Sequence, residues 1–318
     1  KQLKGSPIRN CDAAISDVKD LIRCTMGEPE CDTPDFIKSA AADALNQNQT
    51  QYAPSAGVLE TRKEIAKFME RKYGLHYNAE TDIILTVGAT EAITASMFAL
   101  MNLGDKVIIQ SPAFPQYEYV THLAGGQSDK IDTSETGFLI TPEDLTAALD
   151  ANPETKMVVL TYPNNPTGAV YPRELLEGIV ALAERLGLIL LSDEIYDSIC
   201  YDDAAFVPLA SLCGDLPCIT YNGLSKVHRA CGYRVGWLSV AGAQSRVEEL
   251  LRAFDLLAAM RLCSNVPAQW AIVPALQGPD TISELTGSGG RLHASRLALL
   301  DAVSRSEFLS VQAPQGAL

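Results

Sequence analysis

Short apolar runs alternate with helical patterns along most of this chain, starting near residue 80. Six runs are apolar on both faces: Ile83–Val87, Lys106–Gln110, Met157–Tyr162, Leu188–Ser192, Ile219–Asn222 and Val235–Val240. Runs of this kind are typical of strands that are buried between two layers of helices. The pattern therefore predicts an α/β fold in which a mainly parallel sheet carries helices on both faces.

Helical periodicity fills the segments around these runs. We predict helices at Asp35–Asn46, Thr90–Met101, Pro115–Leu123, Pro142–Leu149, Pro172–Leu186, Ala243–Met260, Val266–Leu276 and Arg291–Arg305. Turn residues mark Met26–Pro29, and the Gly/Ser-rich stretch Thr286–Gly290 predicts a domain boundary. We expect three parts: an N-terminal arm with part of a small domain in 1–50, a large domain in 51–285, and the start of a C-terminal small domain in 286–318.

Composition and charge narrow the classes of partner. The 318 residues contain 25 Lys and Arg against 39 Asp and Glu, a net charge of −14 that repels nucleic acid and anionic lipid. The eight cysteines form no CxxC pair and no short cluster with histidine, which argues against a zinc or redox site. Several lie inside apolar runs, as Cys200 does, which is typical of buried free thiols in a reducing compartment, the cytoplasm. No apolar stretch approaches the length of a membrane span. We therefore expect no metal, nucleic acid or membrane partner.

Polar residues that follow the predicted strands are the first candidates for chemistry, because ligands bind beyond the carboxyl ends of strands in an open α/β sheet. Ala89 and Thr90 open a helix directly after the first run, where free N–H groups can hold a phosphate, unless Thr90 is an ordinary cap. Asn165 lies between two prolines that fix the backbone around its amide, although a plain loop fits equally well.

A second pair of candidate segments follows two later strands. Asp193 closes a buried run, and Tyr196 follows three residues later. Two interpretations are open: both side chains contact one ligand, or Asp193 caps a helix and Tyr196 is an ordinary packed ring. Lys226 comes after a buried run, where a desolvated lysine has a lowered pKa and can form a Schiff base with a carbonyl; a surface lysine is the alternative. Arg234 begins the next run and can return beside Lys226 to bind a phosphate.

Together these motifs resemble the signature of a known enzyme family. Asn165–Gly168, Asp193–Tyr196 and Ser225–Lys226 with Arg234 occur in the order found in fold-type I, class I/II pyridoxal-phosphate aminotransferases. The resemblance extends from Gly27-Glu28-Pro29 to Pro314-Gln315-Gly316-Ala317. Within the family, Tyr221–Lys226 and Met260–Gln269 are similar to bacterial glutamate-pyruvate (alanine) transaminases, whereas the N-terminal third looks more like the aspartate or aromatic type.

The resemblance implies a fold and an activity. The fold is a large domain with a mainly parallel seven-stranded sheet and a partial α+β small domain, and the working unit is a homodimer. The cofactor is pyridoxal 5′-phosphate, and the enzyme exchanges an amino group between an amino acid and a 2-oxo acid, with alanine/pyruvate and glutamate/2-oxoglutarate favoured. The alternatives are an aspartate or aromatic aminotransferase, a C–S β-lyase on the same scaffold, and a cofactor-binding regulator, which usually carries a winged-helix domain that this N-terminus does not resemble.

The resemblance also assigns roles to catalytic residues. Lys226 would hold the cofactor covalently and move a proton between the substrate α-carbon and the cofactor. Asp193 would keep the pyridine nitrogen protonated, and Tyr196 and Asn165 would hydrogen-bond the phenolic oxygen of the ring. Phe114 would stack on the ring, at a position where Tyr or Trp is more usual.

The remaining implied roles concern the phosphate and the substrate. The expected phosphate ligands are Ala89, Thr90, Ser225, Arg234 and, from a second subunit, Tyr52. Gly27 and Asn165 would lie by the substrate carboxylate. Gly223 stands where many relatives have a phosphate-binding serine, and the family's carboxylate-binding arginine is expected beyond Leu318. We therefore expect the chain as given to bind cofactor but transaminate poorly, unless an internal arginine such as Arg229 or Arg261 binds the carboxylate.

Overall fold

A computed structural model describes residues 7–25 and 27–318 of the chain. These residues form one seven-stranded sheet: β1 Ile83–Val87, β2 Lys106–Ser111, β3 Gln127–Asp132, β4 Met157–Thr161, β5 Ile189–Asp193, β6 Cys218–Gly223 and β7 Val235–Ala241. The strand order is β1-β7-β6-β5-β4-β2-β3. β7 runs antiparallel to both of its neighbours, and the other pairings are parallel. The predicted α/β fold with a mainly parallel sheet is confirmed.

Helices connect the strands and cover the sheet. They are α1 Pro7–Ala14, α2 Asp35–Asn46, α3 Leu59–Tyr73, α4 Ala89–Leu100, α5 Gln116–Leu123, α6 Pro142–Ala151, α7 Arg173–Leu186, α8 Ala210–Cys213, α9 Gln244–Met260, α10 Val266–Gln269, α11 Ile272–Gln277, α12 Ser283–Thr286 and α13 Arg291–Ser304, with 3-10 turns at Ser134–Thr136 and Cys231–Tyr233. Across the described part of the chain, no helix combines the length and the apolar character that a bilayer crossing needs.

Alternation along the strands divides the core between the two faces of the sheet. Val107 and Ile109 of β2 pack in a cluster with residues of α4, α5 and α9. Ile108 lies between them in sequence and packs in a second cluster, with residues of α6 and α7. A third cluster joins α2, α3 and α11 to the side chains of Leu85 and Trp237 in β1 and β7. Both faces are therefore covered, as the apolar runs predict.

Several elements differ from the sequence prediction. β3 is absent from the six predicted runs because it is a partly exposed edge strand with mostly polar residues. The sequence pattern also predicts no helix where the structure has α3. The single helix predicted over Val266–Leu276 is in fact two helices, and α7 begins one residue after Pro172.

The Gly/Ser-rich stretch Thr286–Gly290 runs from the last residue of α12 to the residue before α13. That this break is a domain boundary stays a prediction, and so does the three-part domain division. Residues 1–6 of the predicted arm and Met26 of the predicted turn lie outside the described residues.

Candidate active site

The carboxyl ends of the parallel strands meet at one edge of the sheet, and a cavity of about 170 Å³ lies there. Because β7 runs in the opposite direction, its beginning lies at this same edge and brings Arg234 there. Nine of the residues predicted from the sequence line the cavity: Ala89, Thr90, Phe114, Asn165, Asp193, Tyr196, Ser225, Lys226 and Arg234. Segments that are up to 145 residues apart in the chain are thus assembled around one space.

Lys226 is half-buried at the cavity wall. Burial is the main cause that lowers the pKa of its amine below the ordinary value, and the positive charge of Arg234 acts in the same direction. Cys231, Glu28 and Asp193 oppose this shift. The Lys226 Nζ atom donates to the Gly27 carbonyl and lies 5.7 Å from the centroid of the Tyr196 ring. The shift makes the neutral, nucleophilic amine more available than in an exposed lysine.

Asp193 is buried at the end of β5, where both of its carboxylate oxygens accept hydrogen bonds. Oδ2 accepts from the Tyr117 hydroxyl at 2.6 Å, and Oδ1 accepts from the Ile195 N–H at 3.2 Å. Burial raises the pKa of Asp193, while the two hydrogen bonds and the charge of Lys226 act to lower it. A turn rather than a helix follows, so the alternative that Asp193 is a helix cap is wrong.

An anion-binding arrangement lies where α4 begins. No side chain caps the first N–H groups of α4, and Thr90 is its second residue, so Thr90 is not an ordinary cap. The Arg234 guanidinium donates to Thr90 Oγ1 at 3.2 Å and to the Cys231 carbonyl at 2.7 Å. Ser225 is buried in the same cavity wall. Free N–H groups, hydroxyls and a guanidinium together form a donor set for a phosphate.

Three glycines allow these elements to approach. Gly88 precedes α4 with φ +72° and ψ 166°, and a Cβ there would overlap the Arg234 Nη2 atom. A Cβ at Gly236 would lie 2.5 Å from the Ala89 nitrogen. A Cβ at Gly223 would lie 2.6 Å from the Val235 carbonyl oxygen and 2.9 Å from the Gly236 Cα. The departure at Gly223 therefore has a packing reason in this chain.

The remaining cavity walls are aromatic and polar. Tyr196 is buried, and burial, with the nearby Asp193 charge, raises the pKa of its phenol, so the hydroxyl stays a donor at neutral pH. Phe114 presents its ring to the cavity and meets Tyr117 edge to face, with centroids 5.9 Å apart. Asn165 is half-buried and follows the carboxyl end of β4, which is the neighbour of β5 in the sheet.

Two predicted residues lie outside the cavity lining. Gly27 lies at its mouth, where its carbonyl accepts from Lys226 and a Cβ would be 3.9 Å from the Tyr196 hydroxyl. Tyr52 is 81% exposed and does not line the cavity, so its role across a subunit boundary stays a prediction.

The two internal arginines considered for the substrate carboxylate are engaged elsewhere. The Arg229 guanidinium donates to Thr281 Oγ1 at 2.7 Å and to the Asp32 carbonyl at 3.1 Å. Arg261 pairs with Glu91 at 2.5 Å. Of the arginines in the described ranges, Arg234 is the one that lines the cavity.

Sequence reasoning missed five residues of the cavity lining: Ile93, Tyr117, Thr161, Ile195 and Cys231. Tyr117 lies in the first turn of α5, three residues after Phe114, which precedes the helix and also faces the cavity. That spacing is a signal that sequence reasoning could have used. Thr161 is the last residue of β4 and pairs with Asp193 in register, which only the strand alignment reveals.

The donor set matches the groups of pyridoxal phosphate. The uncapped start of α4, together with Arg234, suits a doubly charged phosphate. Because Gly88 has no Cβ, the Arg234 guanidinium can lie next to the start of α4. At the other end, the buried Asp193 carboxylate suits a protonated pyridine nitrogen. Lys226 supplies an amine for the aldehyde. The residues present therefore fit this cofactor.

Comparison with known proteins gives the same assignment. The family model "Aminotransferase class I and II" matches residues 19–318. The alanine aminotransferase of Mycobacterium tuberculosis is 39% identical over 302 residues, which cover 94% of this chain and 70% of that protein. The glutamate-pyruvate aminotransferase AlaA of Escherichia coli is 34% identical over 322 residues, which cover 99% of this chain and 78% of that protein.

Solved structures agree with the fold. An aminotransferase from Escherichia coli superposes with a TM-score of 0.92 at 33% identity, covering 100% of this chain and 82% of that one. The aspartate aminotransferase of Thermus thermophilus with maleate has a TM-score of 0.89 at 32% identity, and the match covers 99% of this chain and 81% of that one. This chain therefore belongs to the class I and II aminotransferase family, and it is a transaminase whose cofactor is pyridoxal 5′-phosphate.

Proposed function

We propose that this enzyme transfers the amino group between alanine and 2-oxoglutarate, forming pyruvate and glutamate. The names of relatives at 34–39% identity support this substrate pair. The observation that carries the chemistry is the single cavity that joins a half-buried lysine of lowered pKa, a buried carboxylate and a guanidinium at a helix N-terminus.

Lys226 is the catalytic base and the covalent anchor in this proposal. Bound pyridoxal phosphate supplies an aldehyde for amines and a ring that accepts electrons from the substrate α-carbon. Lys226 would hold the aldehyde end of the cofactor, and its neutral amine would accept a proton from the substrate α-carbon. Burial supports this role, because a lowered pKa leaves a larger neutral fraction of the amine at neutral pH.

Asp193 holds a proton on the ring nitrogen through its negative charge. Its burial and its two hydrogen bonds support this role, because a desolvated and oriented carboxylate pairs strongly with a cation. Tyr196 and Asn165 would hydrogen-bond the phenolic oxygen of the cofactor, and Phe114 would stack on its ring. Lys226 lines the same cavity as these side chains.

The phosphate is held by Ala89, Thr90, Ser225 and Arg234 in this proposal. Gly27 and Asn165 bind the substrate carboxylate at the cavity mouth. The contact of Lys226 with the Gly27 carbonyl supports this placement, because it brings the arm next to the reacting amine.

We further propose a homodimer in which Tyr52 completes the partner's phosphate site. Exposed apolar side chains on α4, on α9 and just after α9 support a second copy as the partner: Phe98, Leu256, Met260 and Leu262 are 51%, 64%, 76% and 57% exposed. A second copy that covered them would remove this apolar surface from water. The cytoplasm is the proposed compartment, which the eight free thiols support.

A substrate panel tests the reaction. The purified protein, loaded with pyridoxal phosphate, is given 2-oxoglutarate with alanine, aspartate or an aromatic amino acid, and separately cystathionine alone. We expect glutamate to form fastest with alanine. A preference for aspartate would make it an aspartate aminotransferase, like the named Thermus neighbour, and a preference for aromatic donors would make it an aromatic aminotransferase. Release of pyruvate, ammonia and a thiol from cystathionine would make it a C–S lyase. Loaded protein that turns over none of these and binds DNA would be a regulator.

A further inference from the structure

Tyr117 connects two walls of the active-site cavity through a chain of buried hydrogen bonds. Its side chain is 1% exposed. The Thr161 hydroxyl donates to the Tyr117 oxygen at 2.8 Å, and the Tyr117 hydroxyl donates to Asp193 Oδ2 at 2.6 Å. Because Tyr117 receives the proton of Thr161, its own single proton is free to point at the carboxylate. The chain therefore has one direction, and it ends on the anion.

This contact completes the fixation of the Asp193 carboxylate. Oδ1 already accepts from the Ile195 N–H at 3.2 Å, so the two donors hold both oxygens and the plane of the carboxylate. A hydrogen bond to a charged acceptor is stronger than a neutral one, and a low-dielectric interior strengthens it further. Burial raises the pKa of Asp193, and the Tyr117 hydrogen bond is the largest opposing effect. Tyr117 therefore helps to keep a buried carboxylate ionised.

The Tyr117 ring has a separate structural task, which allows its hydroxyl to be tested alone. The ring packs edge to face against Phe114, with an angle of 85° between the two planes. Tyr117→Phe keeps that ring contact and removes only the donor to Asp193. A change in the properties of Asp193 in this variant thus reports on the hydroxyl rather than on the packing.

We propose that the Tyr117 hydroxyl is a positioning group that orients the Asp193 carboxylate, shares its charge, and so sets how firmly Asp193 keeps a proton on the ring nitrogen of the cofactor. The proposal rests on the function proposed above for Asp193. Without the hydroxyl, the carboxylate becomes more basic and freer to rotate. Both effects draw the proton away from the ring nitrogen, so the electron-accepting power of the ring falls.

The test uses enzyme loaded with pyridoxal phosphate that carries nitrogen-15 in its ring, whose NMR shift separates a protonated from an unprotonated pyridine. We expect Tyr117→Phe to move the signal toward the unprotonated position and to lower kcat for alanine about tenfold to a hundredfold, with KM nearly unchanged. Asp193→Asn sets the full size of the spectral change.

A matched control separates this effect from the loss of any buried phenol. Tyr171 is fully buried, and its hydroxyl donates to Gln110 Oε1 at 3.3 Å and accepts from the Ile140 N–H at 2.8 Å, away from the cavity. Tyr171→Phe should leave the nitrogen signal in place. Thr161→Val provides a second variant at the start of the chain: it should shift the signal in the same direction by less than Tyr117→Phe, and Thr161→Ser should restore it.

The outcomes distinguish the proposal from the function on which it rests. If Asp193→Asn moves the signal but Tyr117→Phe and Thr161→Val do not, Tyr117 is not a positioning residue, and the role of Asp193 stands. If Tyr171→Phe moves the signal as far as Tyr117→Phe, the effect is general loosening, and the proposal is overturned. If Asp193→Asn leaves the signal unchanged, the assigned role of Asp193 is itself wrong, and the proposal falls with it.

Discussion

Gly88 is a position where one added methyl group should weaken cofactor binding through a known neighbour. Its backbone, at φ +72° and ψ 166°, occupies a region that is open essentially only to glycine. A Cβ on this residue would overlap the Arg234 Nη2 atom. Gly88→Ala must therefore strain the backbone and push the guanidinium away from the start of α4, where we propose that it binds the phosphate.

The two consequences have separate magnitudes. The backbone strain should lower the free energy of unfolding by about 1–3 kcal/mol, whether or not cofactor is present. Displacement of Arg234 removes a hydrogen bond to a charged phosphate, which is worth about 1.5–3 kcal/mol. Since about 1.4 kcal/mol corresponds to a tenfold change, the Kd for pyridoxal phosphate should rise about 10- to 150-fold.

The assay combines urea unfolding of the cofactor-free protein with titration of pyridoxal phosphate followed by absorbance. Gly74→Ala is the control, because Gly74 also has a positive φ, +68°, but a Cβ there meets nothing within 4 Å. It should lower stability without raising Kd. In a double-mutant cycle, Gly88→Ala should add little to the Kd of Arg234→Ala. An equal loss of affinity with and without Arg234 would refute the reasoning.

Three further predictions concern other groups. Asp193→Ala should retain cofactor but lose at least ~3 kcal/mol of transition-state stabilisation, a drop in kcat of more than a hundredfold; near-normal turnover would rule out its role. Inactive Tyr52 and Lys226 variants, mixed as subunits, should regain partial activity through hybrid sites, whereas no recovery in verified mixed dimers would indicate self-contained subunits. Burial raises the pKa of Glu194 to about 8 from an ordinary 4.5, so stability should fall as pH rises between these values, by up to roughly 5 kcal/mol. Glu194→Gln stays neutral and should abolish that slope in urea unfolding at pH 5 and pH 8; an unchanged slope would contradict the assignment.

The fold was largely predictable because burial leaves a strong mark on central strands. Ile83–Val87 and Met157–Thr161 are apolar at nearly every position, since helices cover both faces of the sheet. β3 is an edge strand whose polar residues are partly exposed, so no continuous apolar run marks it. The antiparallel direction of β7 leaves no mark on its composition, and it emerges only from the pairing of strands.

The site was predictable where chemistry follows a strand end, and much less so where it depends on packing. Lys226, Asp193 and Arg234 stand next to apolar runs, so their unusual position is visible in the sequence. The hydrogen bond from Tyr117 to Asp193 joins residues 76 positions apart, through the docking of α5 on the sheet. The contact that Gly88 permits with Arg234 is equally remote. Such contacts depend on distances between elements, which local patterns do not encode.

The covalent attachment of the cofactor to Lys226 is the central claim, and borohydride reduction tests it most directly. The enzyme is loaded with pyridoxal phosphate, reduced with borohydride, digested and mapped by mass spectrometry, with and without prior incubation with L-alanine. We predict that the pyridoxyl mass lies on the peptide containing Lys226, that alanine sharply lowers this labelling, and that Lys226→Ala abolishes it. The same label on another lysine, or an unchanged adduct in Lys226→Ala, would contradict the account.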